Sequence, residues 1–470
     1  MRDARRICPG AWLLLGLLVA WPGPRAGSAD GSTRPNFVVI LGEGAGWTAY
    51  PVQMDDRNPA SKGSGPRMPG LERLAAAGLR FSAGYAASPR CTPSRAALFT
   101  GRSPAALHMT FVGDGGRREL EAASNRVVTP RPRLELPEAE TTVAELLRSA
   151  GYATAHFGKW HVGRVSPARH GFDESDGPTG NGGPENVANP NPKQAVAMTD
   201  RGVAFLGRQA AAGRPFYLQL SHYPSQEEKG GGGAGRRWTG LGEEEAQAVD
   251  GSLRRILEAL DRLKLAASTY VVFTTDHGSP GRNAPLAGGK GSVGEGGIRV
   301  PFIVAGPGVA AGAVSPVRVT ALDLLPTVAE LAGIGPPLPA GVEGGSFASL
   351  RRNPGTGVVR RPREEFVVHF PHYDKDPLGP ASAILLGDLK LIRYYETGER
   401  RLFDVTRDVG ERRNLAGDLP EKVEELDRRL TEYLRAVEAQ LPEVRAGIPP
   451  GQGGPGRRGG RVNQERRNGE

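Results

Sequence analysis

The chain has 470 residues, enough for one large domain and a smaller one. Its hydrophobic and charged fractions, 38% and 24%, are those of a globular protein and exclude a mostly disordered polymer. The 67 glycines and 40 prolines imply long irregular connections around an ordered core, and the net charge of +9 lies partly at the two ends of the chain.

Arg2, Arg5 and Arg6 precede an apolar run from Ala11 to Trp21 and the small residues Ala26-Gly27-Ser28-Ala29. That order is expected of a secretory signal peptide over residues 1–29, since the run falls short of the ~20 apolar residues of a membrane span. No later segment is long and apolar enough to cross a membrane. The expected mature protein is therefore exported to the periplasm or the extracellular space, with no stable membrane anchor. Cys8 leaves with the signal, so Cys91 stands alone and is either a small buried residue or a chemically used one.

Phe37–Leu41, Ala153–Phe157, Phe216–Leu220 and Tyr270–Thr275 read as buried strands that run into polar loops. Thr142 with Glu145 predicts a capping box before a helix over Ala144–Ser149, which Gly151 ends. Residues 244–264 carry Leu253, Ile256, Leu257, Leu260 and Leu263 at helical spacing. Strands alternating with helices predict an α/β domain over residues 34–360: a large, mainly parallel sheet sandwiched by helices. Gly/Pro/Asn-rich stretches at 177–193 and 229–242 read as surface loops. Glu365–Phe370, Ala383–Leu386 and Leu389–Tyr394, then a helix over 420–440, predict a smaller C-terminal antiparallel-sheet subdomain (361–445). Residues 446–470 read as a disordered basic Gly/Arg-rich tail. The chain shows no internal repeat and no nucleic-acid module.

In open α/β sheets ligands bind beyond the carboxyl ends of the strands. Glu43 follows the first predicted strand, Lys159 and His161 the second, His222 the third, Asp276 and His277 the fourth. Four strand ends bearing metal-ligand and acid–base residue types form a constellation. Pro93 suits the first turn of a helix and Gly101 its end, so Cys91 is expected at a helix N-terminus, where free N–H groups favour an anion.

The run Cys91-Thr92-Pro93-Ser94-Arg95-Ala96-Ala97-Leu98-Phe99-Thr100-Gly101-Arg102 resembles the signature of the formylglycine-dependent sulfatases, which have an alkaline-phosphatase-like fold. The resemblance extends over roughly residues 35 to 440. It includes Arg34-Pro35-Asn36-Phe37-Val38-Val39-Ile40-Leu41, Phe157-Gly158-Lys159-Trp160-His161-Val162-Gly163 and Thr275-Asp276-His277-Gly278. Gly289-Lys290-Gly291, Glu295-Gly296-Gly297-Ile298-Arg299-Val300-Pro301, Leu402-Phe403-Asp404-Val405 and Asn414-Leu415-Ala416 continue it. The resemblance implies a sulfuric ester hydrolase acting on a sulfated sugar or an aryl sulfate. In that family the cysteine of Cys-x-Pro-x-Arg is oxidised to formylglycine by a formylglycine-generating or anaerobic maturation enzyme, and the hydrated aldehyde is the nucleophile. Arg95 then holds the hydrate, His161 acts as base, and Lys159 and Lys290 bind sulfate oxygens. Glu43, Cys91, Asp276 and His277 form the implied calcium site.

Two departures stand out. Glu43-Gly44 replaces the two adjacent aspartates usual in the family, so one carboxylate is lost. Gln226 stands where a leaving-group histidine is often found; an amide does not titrate usefully, and nearby His222 is the candidate substitute. These departures motivate a second reading, a degenerate sulfatase-fold protein that binds sulfated glycans with weak or no turnover. Phosphatases and phosphodiesterases of the superfold form a third class, disfavoured by the intact Cys91-Thr92-Pro93-Ser94-Arg95.

Overall fold

The structure is a computed structural model describing residues 34–113, 125–181, 191–224, 242–281 and 283–446. The expected signal peptide, the basic tail and Gln226 lie outside the described residues.

The main sheet has eight strands. They are β1 (Asn36–Gly42), β2 (Gly78–Phe81), β3 (Ala153–Gly158), β4 (Glu174–Ser175), β5 (Phe216–Ser221), β6 (Thr269–Thr275), β7 (Phe302–Ala305) and β8 (Ala313–Ser315). Their order is β8-β2-β7-β6-β1-β5-β3-β4. Every pairing is parallel except those of β7 with β2 and β6. All four strands expected for this domain are present, and they lie side by side in the order β6-β1-β5-β3. β1 is buried along its length because both sheet faces are covered. Phe37, Val39 and Leu41 enter one hydrophobic cluster and Val38 and Ile40 another, as the two-residue period of a strand dictates.

Helices α1 (Pro69–Ala77), α2 (Cys91–Thr100), α3 (Val143–Ser149), α4 (Asn191–Ala212), α5 (Glu243–Arg262) and α6 (Leu324–Leu331) flank that sheet. Leu71, Phe205 and Leu253 place α1, α4 and α5 on the Val38 face; Phe99, Leu147 and Leu325 place α2, α3 and α6 on the other. The capping box at Thr142 and Glu145 is formed as expected. Helix α4 is a departure, since its first residues fall within the stretch 177–193 read as a loop. Its buried positions Ala195, Met198, Gly202, Phe205 and Leu206 follow helical spacing, but Gly202 and Gly207 dilute the pattern. Gly202 has a packing role: a Cβ there would meet Leu220 Cδ2 at 3.1 Å.

A second, antiparallel sheet runs β9 (Phe366–Phe370), β10 (Ala381–Leu386), β11 (Leu389–Tyr394) and β12 (Arg400–Asp404), followed by α7 (Pro420–Ala436). Strand β12 was not anticipated, and α7 ends four residues short of 440. Val367, Ile384, Leu391 and Leu402 face Leu426, Leu430 and Leu434 of α7. Phe366, Val368 and Phe370 on the opposite face enter the same cluster as Phe99 of α2. The C-terminal sheet is thus packed into the core beneath the segment that carries Cys91. Among the described residues, no helix is long and apolar enough to cross a membrane.

Candidate active site

Cys91 is the first residue of α2, and all ten residues of that helix are buried. Arg90 caps it in an extended conformation, Pro93 lies in the first turn, and Gly101 ends it in the left-handed conformation. A side chain in the first turn of such a helix lies beside unpaired N–H groups and the positive end of the dipole.

Glu43 follows β1 directly, Lys159 follows β3, and Asp276 with His277 follows β6, so three strand ends on the same edge of the sheet bring side chains to Cys91. Cys91 Sγ lies 3.1 Å from Glu43 Oε1 and 3.1 Å from His277 Nε2. Arg95, one helical turn on, is fully buried and donates to Glu43 Oε2 at 2.8 Å, Asp276 Oδ2 at 3.0 Å and the Lys159 carbonyl at 2.5 Å. Lys159 Nζ is 2.7 Å from Glu43 Oε1, and Lys290 Nζ approaches the same oxygen at 3.9 Å. Three cations thus meet two carboxylates around one sulfur.

His161 completes the group. Its backbone is left-handed at φ 59°, a conformation uncommon for a residue with a side chain. Thr92 Oγ1 donates to its carbonyl at 2.8 Å, and its own N–H donates to Thr179 O at 2.9 Å. Its Nδ1 is buried without a partner, and the ring hydrogen-bonds the Cys91 thiol. Burial, then Lys159, holds the His161 pKa below the ordinary histidine value. It is therefore neutral at pH 7 and able to accept a proton.

The thiol itself is shifted. Burial and Glu43 push the Cys91 pKa up, but Lys159, Lys290 and His277 outweigh them and hold it well below the usual thiol range. Glu43 behaves likewise: burial opposes its ionisation, and Lys159, Arg95, Lys290 and His277 hold it well below the usual carboxylate range. Burial and the neighbouring Glu43 push Asp276 up to about 6. The whole group is a cluster of paired, desolvated charges held in place by the fold.

Known families match this arrangement. The Sulfatase family profile matches residues 35–227 and 244–334, and that of the N-sulphoglucosamine sulphohydrolase C-terminal domain matches residues 290–440. The chain belongs to the sulfatase family. N-acetylgalactosamine-6-sulfatase of Canis lupus familiaris is 30% identical over 371 residues, 70% of this chain and 68% of that protein. Arylsulfatase A of Homo sapiens is 30% identical over 480 residues, covering 87% and 88% of the two chains. A crystal structure of Ps i-CgsB in complex with k-i-k-neocarrahexaose superposes with TM-score 0.67 at 22% identity, over 85% of this chain and 93% of that one. The structure of BT4656 with D-glucosamine-2-N,6-O-disulfate gives 0.61 at 18% identity, over 86% and 98%.

The sulfatase brings together a donor set that fits a divalent cation. One ligand atom each from Glu43, Cys91, Asp276 and His277 lies within 4.8 Å of the others, all four residues buried. The second ring nitrogen of His277, Nδ1, bonds the Gly278 carbonyl at 2.9 Å, which leaves Nε2 turned inward. Gly44 offers no carboxylate, but its role is not empty. Its backbone is left-handed at φ 59° and its N–H donates to Asp276 Oδ1 at 3.0 Å.

Among the described residues, His222 shares no hydrogen bond with the other predicted ones, although the charge of Arg95 reaches it. Its backbone N–H donates to Leu41 O at 2.8 Å, and the residue borders a small cavity with Ala195, Tyr223, Glu244 and Glu245. Its Nε2 is buried without a hydrogen-bond partner, and burial, then Arg95, lowers its pKa to about 4. Three residues that the sequence did not single out also shape the sulfatase site. Thr179 holds the Trp160-His161 turn through both its side-chain and carbonyl oxygens. Arg90 and Asp374 pair beside Cys91. Thr179 fell within a stretch read as loop, and Arg90 and Asp374 are 284 residues apart in sequence, so no local signal marks them.

Proposed function

We propose that this sulfatase cleaves the sulfate ester of a sugar or aryl compound by way of formylglycine made from Cys91 by a maturation enzyme that supplies the oxidant. The carrying observation is the convergence of Arg95, Lys159 and Lys290 on a helix-N-terminal Cys91 that His161 also touches. Sulfated carbohydrate is the favoured substrate class. The complexes of Ps i-CgsB with a neocarrahexaose and of BT4656 with a disulfated glucosamine support it, as do the N-acetylgalactosamine-6-sulfatases. The apolar run behind Arg2, Arg5 and Arg6 supports export of the mature enzyme.

One hydroxyl of the hydrated aldehyde attacks sulfur and the S–O ester bond breaks, releasing the alcohol; loss of the proton of the other hydroxyl then expels sulfate and restores the aldehyde. Arg95, clamped by Glu43, Asp276 and the Lys159 carbonyl, keeps position 91 oriented from below. Lys159 and Lys290 hold the sulfate oxygens and oppose their charge. His161, neutral at pH 7, takes a proton from the residue at position 91. Glu43, Asp276, His277 and the oxygen at position 91 would hold a divalent cation, calcium in this reading, which polarises the sulfate. Mass spectrometry of the peptide carrying position 91, on protein co-produced with a maturation enzyme, tests the proposal directly: an aldehyde is expected, and an intact thiol overturns it.

Calcium binding should depend on pH. In the metal-free protein Asp276 has its pKa raised from 3.8 to about 6, so the fold loses stability as pH rises between those values. A cation relieves that penalty and competes with the proton. Calcium added to chelator-treated protein is therefore expected to raise Tm more at pH 7.5 than at pH 5. Equal shifts at both pH values would remove Asp276 from the ligand set.

His222 is not the leaving-group acid in this reading, because a ring with a pKa of about 4 carries no acidic proton of use near neutrality. His222→Gln is expected to lower kcat less than about tenfold, below the usual worth of a general acid. A loss of a hundredfold or more, with Tm unchanged, would restore it to the mechanism.

A further inference from the structure

None of the reacting residues comes from the C-terminal sheet, yet the loop between β9 and β10 reaches the site. Asp374, in that loop, accepts two hydrogen bonds from the guanidinium of Arg90, the residue immediately before Cys91. Arg90 also lies over the ring of Phe111, 5.7 Å from its centroid. The same carboxylate presses against Gly291, the residue immediately after Lys290. A Cβ at Gly291 would collide with Asp374 Oδ2, and Gly291 is left-handed at φ 87°, so glycine is required there on both counts. Gly291 N–H donates to the Pro89 carbonyl at 3.0 Å, lacing the Lys290 segment to the one leading into Cys91. Two residues further, Asp376 Oδ2 accepts from Ser292 Oγ at 2.7 Å. Asp374 thus touches the chain one residue from the nucleophile and one residue from a sulfate-binding lysine.

We propose that Asp374 is a positioning residue, delivered by the C-terminal sheet, that fixes Lys290 relative to Cys91. This rests on the assignment of Lys290 as a sulfate ligand. The Lys290 N–H donates to Ser279 O at 2.9 Å, and the segment around it is rich in glycine. With the Asp374 carboxylate gone, Arg90 loses its bidentate partner and Gly291 loses the wall it leans on. The lysine ammonium then samples a wider range of positions above Cys91. Misplacement of a catalytic group by ~1 Å costs about a hundredfold.

The test compares wild type, Asp374→Ala and Asp374→Asn in three measurements: aryl sulfate kinetics normalised to converted protein, Tm, and hydrogen exchange at the Gly291 amide. Asp374→Ala is expected to lower kcat about ten- to a hundredfold and to speed exchange at Gly291, with strand β1 still protected. Asp374→Asn keeps the shape and one acceptor, and should recover most of kcat. A fall in Tm with kcat and Gly291 exchange unchanged would mean that the Arg90–Asp374 pair only staples the C-terminal sheet, and would overturn the proposal. If wild type itself retains a thiol and releases no sulfate, the functional reading fails, and Gly291 exchange alone still decides whether Asp374 holds this segment.

Discussion

Cys91→Ala is expected to abolish sulfate release, by roughly four orders of magnitude or more in kcat, as removal of a covalent nucleophile does in other hydrolases. The fold should survive, because the thiol is a small group at the start of a fully buried helix whose remaining residues stay in place. Two chemistries at position 91 must be separated. Lys159, Lys290 and His277 hold the thiol well below its usual range, which favours alkylation of an unconverted Cys91. An aldehyde is not alkylated by iodoacetamide but is captured by hydroxylamine. The expected result is wild-type activity that resists iodoacetamide and falls with hydroxylamine. Loss of activity to iodoacetamide alone would make the thiolate the nucleophile and sink the aldehyde mechanism.

Much of the site was legible in the sequence because its parts are set by local rules. Polar residues directly after apolar strand segments mark the carboxyl edge of a parallel sheet, and Glu43, Lys159, Asp276 and His277 all lie there. Pro93 and Gly101 bracketed α2 for equally local reasons, the tolerance of proline in a first turn and of glycine in a left-handed cap. What local rules could not give is pairing at long range. The bond between Arg90 and Asp374 joins residues 284 apart, and strand β12 exists because β11 offers it an edge, not because Arg400-Arg401 favours a strand. Gly44 shows a subtler limit. In sequence it is a missing carboxylate; in the structure its left-handed backbone turns an N–H toward Asp276, a role that side-chain chemistry does not reveal. His222 shows the reverse, a titratable residue at the expected strand end that borders a small cavity beside α5 and whose pKa burial lowers to about 4.

The heaviest burden in the site falls on Glu43. Its two oxygens face Arg95, Lys159, Lys290 and the Cys91 sulfur, and both Arg95 and Lys159 are wholly buried. Glu43→Ala removes their shared counter-charge and leaves only Asp276 to balance Arg95. Uncompensated buried charge typically costs about 3–5 kcal/mol, so the metal-free variant is expected to unfold at distinctly lower urea than wild type at pH 7. The pH dependence follows from the sign of the shift. The Glu43 pKa is lowered well below its ordinary 4.5 in the folded protein, so its stabilising contribution is fully present above that value and is lost as pH falls through the lower folded one. The gap between wild type and variant should therefore be widest at pH 7 and close progressively below about pH 4.5. Urea melts in chelator at pH 7 and pH 3.5 measure it, and a gap that stays constant would show that Glu43 is not the ionised partner of these cations. In the presence of calcium the variant loses a ligand as well, and a metal site already one carboxylate short has little left to hold the ion. Glu43→Gln separates the two contributions, because the amide keeps the volume and one acceptor for Arg95 but carries no charge. It should melt between wild type and Glu43→Ala, while losing calcium-dependent stabilisation as completely as the alanine variant.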